Sequence, residues 1–294
     1  MTDVAHGELT IADGTITGAL RRSVNQAQGV RGSIHDDATA TKLGFRGGTV
    51  AGSIHLELFP PLLVEAFGPR WFEHGSLSMN FRNATTDREA VRAKVTQPPP
   101  GATDAQVAAS VEREDGMLVA EGTAAVGDPG EPSALVALDV ARFASDDLKI
   151  LAGITSGDLI DETEIAMPSE VQHARLDVIT EPLEWYGATS PWGGPVASPA
   201  TIVHFLYAHP ARVIGRNAGK AVGLFGAIEV RHVNGPLVLD ETYRVGGEIV
   251  AVGESPKTEY VWFESHADTL DGERVAEMRM QLRWMKASSP LYAS

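Results

Sequence analysis

The sequence predicts an α+β protein made of two related halves, each with a long antiparallel sheet wrapped around one central helix. Three observations predict this arrangement: a weak internal repeat, one apolar helical stretch in each half, and β-rich runs that follow each helix. The length of 294 residues also exceeds one typical domain of ~100–200 residues, which favours two modest domains.

The internal repeat has two landmarks that recur in the same order. The run GGTVAGSIHLELF at 47–59 matches GGPVASPATIVHF at 193–205, with an offset of 193 − 47 = 146 residues. The run DGMLVAE at 115–121 matches DGERVAE at 271–277, with an offset of 271 − 115 = 156 residues. The small drift between the two offsets fits a longer loop in the second half, and together the matches predict a duplicated domain.

In the first half, a Gly-Gly turn precedes an apolar helix predicted over about 49–67, where apolar residues recur at helical spacing. A short helix over 38–43 is predicted to begin at Asp36 or Asp37, whose carboxylate can cap it. The runs SLSMNFRNA and AVRAKVTQ are typical of strands. The run AQVAASVEREDGMLVAEGTAAVG predicts a hairpin that turns at Asp-Gly.

The second half follows the same plan. A helix is predicted over about 196–207, with Pro199 in its first turns, where proline is best tolerated. Four strands are predicted in the runs GAIEVRHV, ETYRVGGEIVAVG, TEYVWFESHADT and ERVAEMRMQLRWM. One helix wrapped by a long antiparallel sheet is the hotdog arrangement, so the predicted fold class is α+β, a tandem (double) hotdog.

The predicted domains are an N-terminal hotdog at 1–130 that carries the candidate site, a linker with a helical connector at 131–158, and a C-terminal hotdog at 159–294. Such a chain is expected to be a pseudo-dimeric monomer or a homodimer of double hotdogs.

Composition excludes several functions. A formal net charge of −15 repels phosphate backbones and argues against nucleic acid as a partner. The absence of cysteine excludes disulfides, thiolate nucleophiles and Cys-ligated metals, and no His-rich spacing predicts another metal site. No apolar run reaches the ~18 residues of a membrane span, and the N-terminus lacks a signal-peptide pattern. The expectation is a cytoplasmic protein without membrane contact.

The segment GVRGSIHDDATATKLGFRGGTVAGS at 29–53 resembles the signature of the MaoC-like hydratases and dehydratases. The positions in register are Gly29, His35, Asp37, Ala40, Gly44, Phe45, Ala51 and Gly52. The resemblance implies a hotdog fold and hydration or dehydration of a small-molecule acyl thioester. It implies no cofactor besides the coenzyme A or carrier protein that bears the substrate. The family's catalytic Asp precedes its catalytic His by five residues, and Val30 stands there in this chain.

Hydration of a 2-enoyl thioester requires a base, an acid and donors for the enolate-like oxyanion. His35 is the predicted acid/base, and Asp37 is the candidate carboxylate if the loop is reshaped. The backbone N–H of Gly52, at the start of the central helix, is the predicted oxyanion donor. Ala51 and Gly48 are expected to shape the same substrate-binding turn.

Two other functions remain open. The turn Arg46-Gly47-Gly48 resembles the His-Gly-Gly of hotdog thioesterases, whose helix carries a catalytic carboxylate seven residues after the second Gly. That position is His55, which predicts an acyl-CoA thioesterase with His55 as base, while Glu57 should face elsewhere. The third possibility is a non-catalytic acyl-binding hotdog subunit, which the loss of the Asp at Val30 favours.

Two further residues are candidates for substrate contacts. Trp192, with Trp185 and Tyr186, is expected to line an acyl tunnel or to fill the core. Arg82 is expected to bind a phosphate of the substrate arm or to lie solvated on its strand. The second half lacks an acid/base pair, because the position of His35 is occupied there by Glu181 at an offset of 146.

Overall fold

The computed structural model describes residues 8–145, 147–176 and 183–293, so Glu181 lies outside the described residues. Within these ranges one continuous sheet contains twelve strands in the order β1-β2-β5-β6-β7-β4-β9-β12-β11-β10-β8, and β3 pairs with β5. The strands of the first half are β1 (Thr10–Ala12), β2 (Thr15–Thr17), β3 (Arg21–Arg22), β4 (Gly75–Phe81), β5 (Ala90–Thr96), β6 (Ala105–Arg113) and β7 (Leu118–Val126). Those of the second half are β8 (Leu159–Ala166), β9 (Gly223–His232), β10 (Thr242–Glu254), β11 (Thr258–Asp268) and β12 (Arg274–Met285).

The order of the equivalent strands in the second half is the reverse of their order in the first half. The order β5-β6-β7-β4 in the first half meets β9-β12-β11-β10 in the second, and β4 pairs antiparallel with β9 at the junction. The second repeated landmark falls on equivalent hairpins, β6–β7 and β11–β12. Their turns place Gly116 and Gly272 at φ of 83° and 92°, a conformation that glycine adopts without a Cβ clash. The duplication predicted from the sequence is thus confirmed.

The central helix of the first half is interrupted. It consists of α2 (Gly52–Leu56) and α3 (Pro60–Phe67), so the prediction of one helix over 49–67 is wrong. Pro60 and Pro61 lack a backbone N–H, and their rings collide with the preceding helical turn. A helix therefore has to restart at the prolines, where the first N–H groups have no intrahelical partner anyway.

The central helix of the second half, α6 (Pro199–Asn217), is longer than the predicted 196–207. The side chain of Ser198 caps it by accepting from the backbone N–H of Thr201. Pro210 lies inside the helix without ending it, because buried residues such as Ile214 continue the apolar face beyond it. The remaining helices are α1 (Asp37–Lys42), α4 (Trp71–His74) and α5 (Ser169–Leu176).

The linker contains no helix in its described residues, so the predicted helical connector at 131–158 is wrong. Its backbone is instead bound by strand side chains: Leu135 N–H donates to Ser78 Oγ at 3.0 Å, and Ala134 N–H donates to Thr123 Oγ1 at 2.9 Å. The Leu135 side chain is fully buried on the outer face of the sheet, away from the helices. The linker thus crosses this outer face through a series of turns.

None of the helices in the described ranges combines the length and hydropathy that a membrane span requires.

Candidate functional site

A cavity of about 620 Å³ lies where the two halves meet, and residues of both line it. The first half contributes His35, Gly52 and His55. The second half contributes one face of α6, where Tyr207 lies, and the ends of strands β9 and β12, where Trp284 lies. The structure thus brings together five of the residues singled out in the sequence, and it adds a wall from the second half. The five are His35, Ala51, Gly52, His55 and Arg82.

His35 is half-buried and its ring is held in one orientation. Nδ1 lies 2.6 Å from the backbone carbonyl oxygen of Thr49. A carbonyl only accepts hydrogen bonds, so Nδ1 carries the proton and Nε2 of the neutral ring keeps a free lone pair. The backbone around His35 is also fixed, because Asn25 Nδ2 donates to its carbonyl at 2.8 Å.

Gly48 and Asp37 hold the loop of His35 against the start of the helix. Asp37 Oδ1 accepts from the backbone N–H of Gly48 at 2.7 Å, and Asp37 is exposed and does not line the cavity. Asp36 caps α1 by accepting from Thr39 N–H at 3.0 Å, as one of the sequence alternatives predicted. The structure therefore places neither carboxylate beside the His35 ring nitrogens.

Replacing Gly48 with Ala is expected to displace the His35 loop. An added Cβ would overlap the carbonyl oxygen of His35, a backbone atom that cannot move aside on its own. We expect a loss of ~1–3 kcal/mol in the free energy of unfolding, measured by urea denaturation, together with reduced turnover. Gly29→Ala is the matched control, because a Cβ there meets no atom within 4 Å. Equal stability of the two variants would contradict the close approach of Gly48 to His35.

Gly52 is the first residue of α2, and Ala51 precedes it as the N-cap. The N–H groups at the start of a helix have no intrahelical acceptor, so that of Gly52 is available to a ligand. Gly52 is also packed under an aromatic ring, because an added Cβ would lie 2.6 Å from Phe81 Cζ. Gly52, Ala51 and Phe81 all line the cavity.

His55 lies one turn further along α2, at the wall of the cavity, and is only 2% exposed. Its Nε2 lies 2.9 Å from Thr85 Oγ1, whereas Nδ1 has no hydrogen-bond partner among the described residues. Burial lowers the pKa of His55 to about 4, an effect that the negative charge of Glu89 partly opposes. The ring is therefore neutral at neutral pH.

No Asp or Glu of the described residues lines this cavity. Val30, at the position where the family has its catalytic Asp, is 56% exposed and lies outside the lining. One ring nitrogen of each cavity histidine is hydrogen-bonded instead to another kind of group: Nδ1 of His35 to a backbone carbonyl, and Nε2 of His55 to a hydroxyl. The site thus has two imidazoles, one of them oriented as a base, and no carboxylate to assist either.

Glu57 faces away from the cavity, as its position on the helix predicts, yet it is fully buried. Its Oε1 accepts from Ser198 Oγ and from the backbone N–H of Ala200, each at 2.6 Å, while Oε2 has no partner among the described residues. Burial raises the pKa of Glu57 to about 7, although both hydrogen bonds and the charge of Arg175 oppose this. No pattern in the sequence indicated this bond, which joins the helix of one half to the cap of the other.

Trp192 and Arg82 lie in different surroundings. Trp192 does not line the cavity; it packs edge-on against Trp185 at 5.3 Å, next to Phe72 at 5.8 Å, and its indole N–H donates to Glu73. This aromatic cluster is the packing alternative considered for Trp192. Arg82 does line the cavity, and its Nε donates to Glu121 Oε1 at 2.8 Å.

One group of potential metal ligands exists elsewhere in the described residues. Glu162, His266 and Asp268 bring ligand atoms within 4.8 Å of one another on the second half of the sheet. Asp268 is already bound by the guanidinium of Arg274. None of the three lines the cavity of His35.

Comparisons with known proteins support the fold. No family model matches the chain, and no curated protein matches its sequence. A protein described as a MaoC domain dehydratase from Chloroflexus aurantiacus J-10-fl superposes with a TM-score of 0.63 at 11% identity, covering 95% of this chain and 97% of its own. A conserved hypothetical protein from Mycobacterium tuberculosis with a double hotdog fold gives a TM-score of 0.57 at 12% identity, with 96% and 97% covered.

A third similar structure is the dehydratase domain of PpsC from Mycobacterium tuberculosis in complex with C12:1-CoA. It has a TM-score of 0.50 at 11% identity, with 94% of this chain and 97% of that chain covered. At such identities the likeness concerns the fold alone. The resemblance carried by residues 29–53 is confirmed at that level: this chain is a double hotdog, the fold that it shares with structures described as MaoC-like dehydratases.

Proposed function

We propose that the protein is an acyl-thioester hydratase/dehydratase, a lyase in which His35 is the acid/base and the Gly52 N–H binds the thioester oxygen. The observation that carries the proposal is the His35 ring, whose Nδ1 is engaged by the Thr49 carbonyl so that Nε2 remains a base in the cavity. Gly52 lines the same cavity at the start of a helix, where the helix dipole favours negative charge.

The proposed reaction uses one imidazole for both proton transfers. His35 Nε2 accepts a proton from water while the water oxygen bonds to C3 of the 2-enoyl thioester. The π electrons of the double bond move onto the thioester oxygen, which the Gly52 N–H stabilises as an enolate. The imidazolium then returns its proton to C2, and the reverse sequence eliminates water. A single group is proposed because no described carboxylate lines the cavity.

His55 supports a second candidate, an acyl-thioester hydrolase. Its neutral ring lines the same cavity and has a buried Nδ1 without a partner among the described residues, and a neutral imidazole can activate water. With a pKa near 4, His55 is a weaker base than an ordinary histidine, which makes hydrolysis the second choice.

Product identity tests the proposal. The protein is incubated separately with short-, medium- and branched-chain 2-enoyl-CoA thioesters and with the saturated acyl-CoA of each. Hydration is expected to remove the absorbance of the conjugated thioester and form 3-hydroxyacyl-CoA without releasing thiol, and 3-hydroxyacyl-CoA should be dehydrated in the reverse assay. Thiol release from the saturated esters would establish the hydrolase instead. Binding of both series without any turnover would leave the non-catalytic acyl-binding subunit.

A further inference from the structure

Arg283 of β12 is half-buried and has no acidic partner in the part of the chain that the structure describes. Its Nε donates to the side-chain oxygen of Gln281 at 2.6 Å, and no carboxylate of the described residues lies within ion-pair distance. Other arginines of this chain are paired, for example Arg46 with Glu89 and Arg279 with Glu264. In a chain with a net charge of −15, an unneutralised guanidinium in a cavity wall needs an explanation.

Gly226 makes room for this guanidinium. The register of β9 and β12 shifts next to Gly226, between Gln281 and Leu282. A Cβ at Gly226 would lie 2.5 Å from Arg283 Nε, so any larger residue would push the side chain out of its place. With Nε held by Gln281, the Nη atoms of Arg283 have no hydrogen-bond partner in the described ranges and form a fixed fork of donors.

Arg82 and Arg283 stand on either side of the start of β9. Asn80 of β4 and Gln281 of β12 both pair with Ala227 of β9, and each arginine follows its strand partner by two residues. Side chains two residues apart share a face of a sheet. Both guanidinium groups are therefore on the face where Leu135 of the linker packs against Ala227, which is the outer face.

The positive charge of Arg82 acts on Arg283. Burial is the largest cause that lowers the pKa of Arg283, the hydroxyl of Tyr260 opposes it, and the charge of Arg82 lowers it further. Arg82 has one carboxylate, Glu121, which accepts only from its Nε, and both groups of that pair are about half exposed. Like charges placed together at the wall of a cavity are relieved by an anion between them.

We propose that Arg82 and Arg283 bind a phosphate group of the arm that carries the acyl thioester, the phosphopantetheine of coenzyme A or of a carrier protein. This assignment rests on the proposed function and names the part of the substrate that the two halves recognise together. A phosphate is favoured over a carboxylate on the acyl group because both guanidinium groups lie on the outer face, whereas the acyl group must reach His35 inside. Arginine is suited to phosphate because its planar fork can donate two parallel hydrogen bonds.

Binding of the thiol arm, without any turnover, tests the site. The affinities of coenzyme A, 4′-phosphopantetheine and unphosphorylated pantetheine are measured by calorimetry on the full-length protein and on Arg283→Gln. We expect coenzyme A and phosphopantetheine to bind about tenfold more weakly to the variant, and pantetheine to bind equally to both proteins. A loss confined to coenzyme A would assign the site to its nucleotide phosphates instead and overturn the phosphopantetheine assignment.

Two further variants keep the test independent of folding. Arg82→Gln changes an exposed side chain and should also weaken the phosphorylated ligands while its thermal unfolding stays that of the parent. Arg231→Gln removes the same charge from an exposed site on β9 that does not line the cavity, and it should bind all three ligands like the parent. Equal losses for pantetheine and coenzyme A, or normal binding by both cavity variants, would overturn the proposal. Because no step depends on catalysis, failure of the hydratase assignment gives a different result: no turnover with phosphate-dependent binding intact.

Discussion

Replacing His35 with Asn is expected to lower kcat for hydration by roughly 10²- to 10⁴-fold, the usual contribution of a positioned general acid/base. Asparagine can keep the hydrogen bond to the Thr49 carbonyl through its amide N–H, but it has no counterpart of Nε2. The loop should therefore stay in place while the base is lost. Rates of enoyl-CoA consumption and product formation measure the effect, and KM is expected to change little because the substrate contacts persist.

Two variants accompany His35→Asn. His209→Asn is the control, since that histidine is half-buried, lies outside the cavity lining and contacts the Asp161 carbonyl through Nε2; it should retain full turnover. His55→Gln tests the competing base. If His55→Gln abolished turnover and His35→Asn did not, the roles assigned to the two histidines would have to be exchanged.

Replacing Glu57 with Gln is expected to stabilise the protein above pH 7. The folded state holds the carboxyl with a pKa of about 7, whereas the ordinary value is 4.5, so the folded state binds the proton more tightly than the unfolded state. Stability from this group is therefore full below pH 4.5 and is lost as pH rises through 7. The shift corresponds to about 3 kcal/mol at alkaline pH, which the neutral Gln should recover while keeping an oxygen for Ser198 and Ala200.

Urea denaturation of the parent and Glu57→Gln at pH 5 and pH 8.5 measures this effect as the difference between the two proteins, so that other titrating groups cancel. The difference should be small at pH 5 and large at pH 8.5. Glu57→Ala is the contrasting variant: it removes the acceptor from the capped helix and should destabilise the protein by ~1–3 kcal/mol at pH 5. At pH 8.5 it also removes the buried charge, so relief of that charge should offset this loss. A pH-independent difference between the parent and Glu57→Gln would mean that the buried carboxyl is not the titrating group.

Most of the strands, and the hairpin of β6 and β7, could be predicted from local signals. The runs that became β6 and β7 alternate and turn at Asp-Gly, and the same signal recurs at β11 and β12. The residues at which the helices begin and end were harder to predict. The prolines at 60 and 61 divided one predicted helix, and the apolar face of α6 carried it through Pro210 to Asn217. The linker is irregular because side chains of the strands accept hydrogen bonds from its backbone N–H groups. No residue of the linker itself predicts these contacts.

The candidate site was predictable where it depends on contiguous residues. The run 29–53 places His35, Gly48 and Gly52 within one loop and one helical turn, so the sequence brings them together through short-range geometry. It also identified Val30 as the position where a carboxylate is missing. Trp192, by contrast, was an ambiguous aromatic, and its place in a packed cluster depends on Phe72, far away in sequence.

By itself the sequence determined the duplicated fold, the loop of His35 and the missing acid at Val30, because periodicity, turn residues and a contiguous motif all act over short distances along the chain. Only the tertiary structure decided what surrounds the loop of His35: the wall from the second half and the guanidinium of Arg283, which has no carboxylate partner among the described residues. It also decided the bond that Ser198 donates to Glu57 across 141 residues. Such contacts arise when strands β4 and β9 join the two halves, and no pattern in either partner specifies the other.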